Sequence, residues 1–190
     1  IGDGTTVVAY DDAGRVIAAR LVWMLRALGG RAALLDGGLA AWAGPLETAP
    51  VESAPATFTP CPWPNALLAQ LDEVAAGTGT VVDARNRDRF DGSLQLPTDP
   101  RAGHIPGALN VPCRANLTPA GRLRPVDEVR AAFAAAGVED GAAVVSYCGS
   151  GITACHNLLA LEHAGFGRGR LYVGGWYEYA ADPRRPAEVG

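Results

Sequence analysis

Lysine is missing from this 190-residue chain, and all 16 basic side chains are arginine. So uniform a choice reads as compositional bias and not as a functional device. Against 20 acidic residues the formal net charge is −4. No block of basic residues interrupts that balance, which argues against nucleic-acid binding. Long apolar runs are absent as well: none approaches the ~20 residues that would span a bilayer. Cysteine is scarce. Cys61, Cys113, Cys148 and Cys155 form no CxxC pair and no disulfide scaffold, which suits a reducing cytoplasm, one reactive thiol and packing roles for the rest. The opening, IGDGTTVVAYDD, has neither an initiator methionine nor a signal-peptide pattern, so the natural beginning is expected to lie upstream. What remains is 48% hydrophobic and 19% charged, a globular composition of a length that gives one medium domain or two small ones.

Six of the 14 prolines fall within residues 45–64, which reads as an extended, semi-rigid linker between a short piece, 1–44, and a longer one, 65–190. In the longer piece Thr80–Ala84, Ala108–Val111, Ala142–Tyr147 and Arg170–Val173 are β-branched or aromatic runs and are predicted strands. Ala66–Ala76, after a possible N-cap at Asn65, Val126–Ala136 and Ile152–Ala164 are predicted helices ending at Gly77, Gly137 and Gly165. Strands alternating with helices predict an α/β fold, a parallel sheet with helices on both faces.

An internal repeat organises the whole. VVAYDD at 7–12 matches VVSYCG at 144–149, and LLDGGLAAW at 34–42 matches LYVGGWYEY at 171–179, both at one and the same offset along the chain. Residues 1–44 therefore read as the second half of a unit whose complete copy is 65–190: a tandem duplication with the first copy truncated. A half-sheet leaves an edge and part of its core uncovered, so 1–44 should dock on the complete unit or pair with a missing fragment.

The local chemistry concentrates in Cys148-Gly-Ser-Gly-Ile-Thr-Ala154, between a strand end and a helix start, where open parallel sheets bind ligands. Gly149 and Gly151 can take positive φ and curl successive amides around one point. The following helix adds its N-terminal dipole. A thiol placed there has its thiolate favoured. The loop thus offers a nucleophile and a nest for an anion attached to it. Position 148 in one copy is Asp11 in the other, so only one copy keeps the nucleophile. A phosphatase would need arginine six positions after the cysteine to clamp the phosphoryl group, and that position is Ala154. Transfer of a sulfane sulfur through a cysteine persulfide needs only amide donors for the terminal sulfur anion.

At this point the chain resembles the rhodanese family, specifically its two-domain sulfurtransferases. CGSGITAC at 148–155 is similar to that family's active-site loop. Asp83-Ala-Arg85, Arg89-Phe90, Gly103-His-Ile-Pro-Gly-Ala108 and Gly174-Gly-Trp176 are similar to its other landmarks in the same order. The resemblance implies a rhodanese-like fold, with 1–44 as the C-terminal part of an inactive N-terminal domain, 45–64 as linker and 65–190 as the catalytic domain. Gly149-Ser150-Gly151 resembles the 3-mercaptopyruvate type rather than the thiosulfate type, which carries a cationic pair after the cysteine. The implied reaction moves sulfur from 3-mercaptopyruvate to a thiol or cyanide through Cys148, with thioredoxin or a small thiol as candidate acceptors and no metal or organic cofactor. Thiosulfate is the alternative donor, and a non-catalytic module binding an anion or protein is the alternative of another class.

With neutral loop side chains, a carboxylate-bearing donor needs a cation from elsewhere. Arg85, Arg87, Arg89 and Arg101 are candidates. The resemblance selects Arg89 and Arg101, the competing reading being an ion pair with Asp83, Asp88, Asp91 or Asp99. Arg85 reads as structural, satisfying loop carbonyls, and Arg87 as solvated. Gly149, Gly151, Ile152, Thr153 and Ala154 supply the amide nest. Ser150 could bond the leaving sulfur or relay a proton to the enolate, and Thr153 suits a helix cap. Cys155 falls one turn inside the helix with no compact zinc spacing and reads as core. His104 reads as bonded to backbone, and His163 as facing a helix C-terminus. Trp176, with Tyr177 and Tyr179, opens a short helix that packs in the core or walls the pocket.

Overall fold

The computed structural model describes residues 1–59, 61–139 and 143–190. The longer piece builds one parallel five-stranded sheet from β3 (Leu68–Ala69), β4 (Thr80–Asp83), β5 (Leu109–Asn110), β6 (Val144–Tyr147) and β7 (Arg170–Tyr172), in the order β3-β7-β6-β4-β5. Alternation along the strands sends side chains to opposite faces. Val81, Val145, Tyr147 and Tyr172 meet Val74, Phe90, Trp176 and Tyr179 on one face, carried by α2 (Leu71–Ala75), α3 (Arg87–Phe90) and α6 (Gly175–Ala181). Val82 and Val144 meet Val129, Phe133, Ala160 and Leu161 on the other, carried by α4 (Val126–Ala135) and α5 (Ala154–His163). Each such fully buried aliphatic or Phe side chain contributes about 1.5–3 kcal/mol. The α/β layering is therefore as expected, with helices on both faces. No described helix is long and apolar enough to cross a membrane.

Several boundaries differ from expectation. Ala66–Ala76 is not one helix. A short 3-10 turn at Asn65–Leu67 leads into β3, and only Leu71–Ala75 is α-helical. Leu68 and Ala69 pair with Leu171 and Tyr172 of β7; the ladder bonds of a sheet edge outweigh the helix propensity of so short a stretch. Asn65 consequently caps nothing, and the residue preceding α2 is the extended Gln70. The strand expected at Ala142–Tyr147 starts at Val144; Ala142 lies outside the described residues, as does Pro60 of the expected linker. The three helix-ending glycines all take positive φ, 66° at Gly77, 97° at Gly137 and 82° at Gly165, the left-handed geometry that terminates helices.

Residues 1–44 form a parallel pair, β1 (Thr6–Ala9) and β2 (Arg31–Leu34), crossed by α1 (Ala18–Ala27). This piece is docked. Val16, Ala19 and Trp23 share one buried cluster with Cys155 and Leu158 of α5. Polar bonds cross the same seam, from Arg114 Nη1 to the Ala13 carbonyl at 3.0 Å and from the Leu123 amide to the Asp36 carboxylate at 2.9 Å. The described residues of 45–64 hold neither helix nor strand, yet this segment is tied back. The Asp3 carboxylate accepts the Thr59 amide at 2.7 Å and hydroxyl at 2.8 Å, and Trp63 stacks on Trp23 at 6.5 Å.

Candidate active site

Central strand β6 delivers Cys148 to the carboxyl edge of the sheet, and α5 begins just beyond the loop at Ala154. The backbone of the loop is fixed from two sides. The Trp176 amide donates to the Cys148 carbonyl at 2.7 Å, and the Tyr177 amide donates to the Gly149 carbonyl at 3.0 Å. From α1, Arg20 Nη1 donates to the Ser150 carbonyl at 3.3 Å. Gly151 takes φ +68°, and a Cβ there would lie 2.6 Å from the Val173 carbonyl oxygen. Gly149 does not take positive φ. It is required for another reason: a Cβ would meet the Tyr177 ring at 2.9 Å. Tyr177 lies against the loop because its amide is already tied there.

Cys148 is 3% exposed and belongs to the cluster that holds Ala84, Cys113, Ala154 and Cys155. Burial pushes the Cys155 thiol up to about 12 and the Cys113 thiol up to about 11. Cys155 donates to the Gly151 carbonyl at 3.4 Å, so both neighbours behave as core thiols, as expected of Cys155. Gly149, Gly151 and Ala154 are buried, and Ser150, Ile152 and Thr153 half-buried. The capping reading of Thr153 fails. Its backbone is already helical (φ −72°, ψ −17°) and its side chain makes no cap bond, because capping by a hydroxyl needs extended backbone at that residue. The hydroxyl acts on Cys113, where it partly offsets the rise that burial gives that thiol's pKa.

The four arginines separate clearly. Arg85 is 3% exposed, forks onto Asp83 (2.7–3.1 Å), donates to the Gly103 carbonyl at 2.8 Å and lies over Trp176 at 4.9 Å. It is structural, as read from sequence. Arg87 is largely exposed. Arg89 forks onto the buried Asp99, one bond being Nε to Oδ2 at 3.1 Å. Burial works against the cation, but the Asp99 bonds and charge outweigh it and raise its pKa, and Tyr177 favours the charged form as well. Tyr177 therefore links Arg89 to the loop, a connection that sequence spacing could not reveal. Arg101 is held elsewhere: its Nη2 donates to the Arg185 carbonyl at 2.7 Å, and its guanidinium lies 5.8 Å from the Trp176 ring. His104 bonds the Phe90 carbonyl through Nδ1 at 2.7 Å and stacks on Phe90, as expected. Trp176 is fully buried, its Nε1 donating to the Arg101 carbonyl at 3.0 Å.

The loop at the end of β1 surrounds an anion of its own. The Asp11 carboxylate accepts amides from Ala13 (2.8 Å), Arg15 (2.6 Å), Ile17 (3.0 Å) and Ala18 (2.6 Å). Burial alone would raise the Asp11 pKa, yet those four bonds outweigh it and hold it below the ordinary value. In the alignment of VVAYDD with VVSYCG, Asp11 falls opposite Cys148.

The chain resembles known proteins in sequence and in fold. Residues 64–182 match the family model described as a rhodanese-like domain. The chain is 45% identical over 196 residues to a protein of Pseudomonas aeruginosa named probable 3-mercaptopyruvate sulfurtransferase, covering 97% of this chain and 68% of that one. The solved 3-mercaptopyruvate sulfurtransferase of Leishmania major superposes with a TM-score of 0.82 at 34% identity, over 97% of this chain and 53% of its own. The crystal structure of SseA from Escherichia coli, described for the rhodanese fold and catalytic mechanism of 3-mercaptopyruvate sulfotransferases, superposes at 0.79 with 34% identity, over 93% and 68%. The chain thus spans about two thirds of the Pseudomonas relative and about half of the Leishmania structure.

Proposed function

The chain belongs to the rhodanese-like family, and from that premise we propose that it is a sulfurtransferase that takes sulfur from 3-mercaptopyruvate through a persulfide on Cys148. The observation that carries the reading is the Asp11 carboxylate in its ring of four amides. The register that aligns Asp11 with Cys148 also sets Ser150, Ile152, Ala154 and Cys155 opposite Ala13, Arg15, Ile17 and Ala18, and a terminal persulfide sulfur needs the same donors.

The Cys148 thiolate attacks the donor sulfur. An S–S bond forms, the carbon–sulfur bond breaks, and its electron pair passes to the enolate of pyruvate, which is protonated at carbon. Ser150 relays that proton or bonds the leaving group. Arg89, oriented by Asp99 and Tyr177, offers its remaining N–H groups to the donor carboxylate, while Arg101 is held by the Arg185 carbonyl and supports the fold there. A thiol or cyanide acceptor, thioredoxin among the candidates, then attacks the outer sulfur and frees Cys148. Two half-reactions on one nucleophile give ping-pong kinetics.

The duplicated organisation belongs to the same reading, with 1–44 as the C-terminal part of an inactive rhodanese-like unit, 45–64 as linker and 65–190 as the catalytic unit. Two matched pairs of glycines support it. Gly14 and Gly151 take φ +78° and +68°; Gly38 and Gly175 take +62° and +59°, approaching the carbonyls of Asp11 and Cys148 respectively. The four free cysteines favour a reducing compartment, the cytoplasm.

The test is mass spectrometry after donor treatment. Cys148 should gain the mass of one sulfur atom with 3-mercaptopyruvate and lose it to cyanide. No adduct with any donor would make the domain a binding module, and a higher kcat/KM with thiosulfate would reassign the donor.

A further inference from the structure

Tyr177 touches two parts of the site that lie far apart in the chain. The far end of its ring rests on the nucleophile loop. A Cβ on Gly149 would lie 2.9 Å from the Tyr177 Cζ and 3.0 Å from its hydroxyl oxygen. That same oxygen shares a hydrogen bond of 3.0 Å with Thr98 Oγ1, 79 residues away. Thr98 stands next to Asp99, the buried carboxylate onto which Arg89 forks. Asp99 is locked into a tight turn with its own neighbours. Its amide donates to the Leu96 carbonyl at 2.9 Å, its Oδ2 accepts the Leu96 amide at 3.0 Å, and its carbonyl accepts Gln95 Nε2 at 3.1 Å. A shift of Thr98 is therefore a shift of Asp99 and of the cation it holds.

We propose that the Thr98–Tyr177 hydroxyl pair is a latch that holds the Arg89–Asp99 fork at a set distance from the Cys148 loop, and so positions a donor carrying sulfur at one end and a carboxylate at the other. The proposal rests on the reading of Cys148 as nucleophile and Arg89 as the carboxylate's partner. In 3-mercaptopyruvate the sulfur and the carboxylate lie at opposite ends of the carbon chain. Both ends must be in place together, and misplacement of either slows attack. Thr98 and Tyr177 are positioning residues in this scheme. The latch serves the donor half-reaction alone, because cyanide brings no carboxylate to place when it takes the sulfur from Cys148.

Steady-state kinetics test this with variants that remove only the hydroxyls. Tyr177→Phe keeps the ring on Gly149, Thr98→Val keeps the shape of the turn, and Thr98→Ser keeps the hydroxyl. For 3-mercaptopyruvate, kcat/KM should fall about three- to tenfold in Tyr177→Phe and in Thr98→Val, the worth of one hydrogen bond. The double variant should lose no more than either single one, since both remove the same bond. Thr98→Ser should retain the value of the unaltered chain. For cyanide, kcat/KM should be unchanged throughout. Donor kinetics unaltered in either single variant would overturn the proposal, as would additive losses. So would equal losses for donor and cyanide, which mark a loop that has merely loosened. Pyruvate affinity, read by calorimetry, reports the latch without turnover. If the unaltered chain forms no persulfide, the sulfurtransferase reading falls, but weaker pyruvate binding in Tyr177→Phe still upholds the latch. Pyruvate binding equal in the two proteins, or absent from both, overturns it.

Discussion

At the residue scale the site turns on where charge is allowed. Asp99 is buried and its charge is met by the fork of Arg89. Arg89→Ala is expected to raise KM for a carboxylate donor and to cost about 3–5 kcal/mol of stability, because Asp99 is left buried and unpaired. The double variant Arg89→Ala, Asp99→Ala should recover stability but not KM, read by urea unfolding and steady-state kinetics. His156 carries a separate pH signature. Burial holds its pKa down at about 4, whereas the unfolded chain titrates near ~6.5. The native state therefore refuses a proton that the unfolded state accepts. His156's contribution is fully present above about pH 6.5 and is lost as pH falls toward about 4, amounting to about 3 kcal/mol. Unfolding curves of the chain and of His156→Gln should diverge across that window and run parallel above it. The thiols separate in the same way. Cys61 is exposed, whereas Cys113 and Cys155 are buried with raised pKa values, so native alkylation at pH 8 should label Cys61 and spare those two until the chain unfolds.

At the scale of elements, the strand–loop–helix unit from β6 to α5 depends on contacts from outside itself. Gly151→Ala places a Cβ on the Val173 carbonyl at a left-handed φ and should cost about 1–3 kcal/mol along with sulfur transfer. Gly149→Ala clashes with the Tyr177 ring. Its loss of transfer should therefore be partly relieved in Gly149→Ala, Tyr177→Ala, measured as persulfide yield on Cys148. The sequence carried the unit's skeleton well: β-branched Val144 and Val145, the glycines, and the helical run ending at Gly165. It misled at Ala66–Ala76, where an alanine- and leucine-rich stretch with helix propensity contains an edge strand. Nothing local marks Leu68 and Ala69 as strand, since their pairing partner lies far along the chain on β7. The Arg89–Tyr177–loop link is hidden for the same reason: its members come from α3 and α6.

On the scale of the whole molecule, the N-terminal piece is part of the packing of the longer piece. Trp23 is 6% exposed, in one cluster with Cys148 and Leu158, and Arg20 holds the Ser150 carbonyl. Trp23→Ala is expected to cost about 3–5 kcal/mol, visible as a lowered Tm. Arg20→Ala should leave Tm nearly unchanged but slow transfer by loosening the loop. The chain's sequence by itself determined its α/β layering, the candidate nucleophile Cys148 and the glycines of the loop that follows it. These are matters of periodicity, backbone freedom and short spacing, and they need no distant partner. Only the tertiary structure decided that Arg89 pairs with Asp99 while Arg101 is bound to the C-terminal segment, that Thr153 makes no cap bond, and that Arg15 and His156 line one cavity. Each depends on which side chains from separate elements compete for one buried space, and that competition is settled by packing and desolvation across the fold, not by neighbours along the chain.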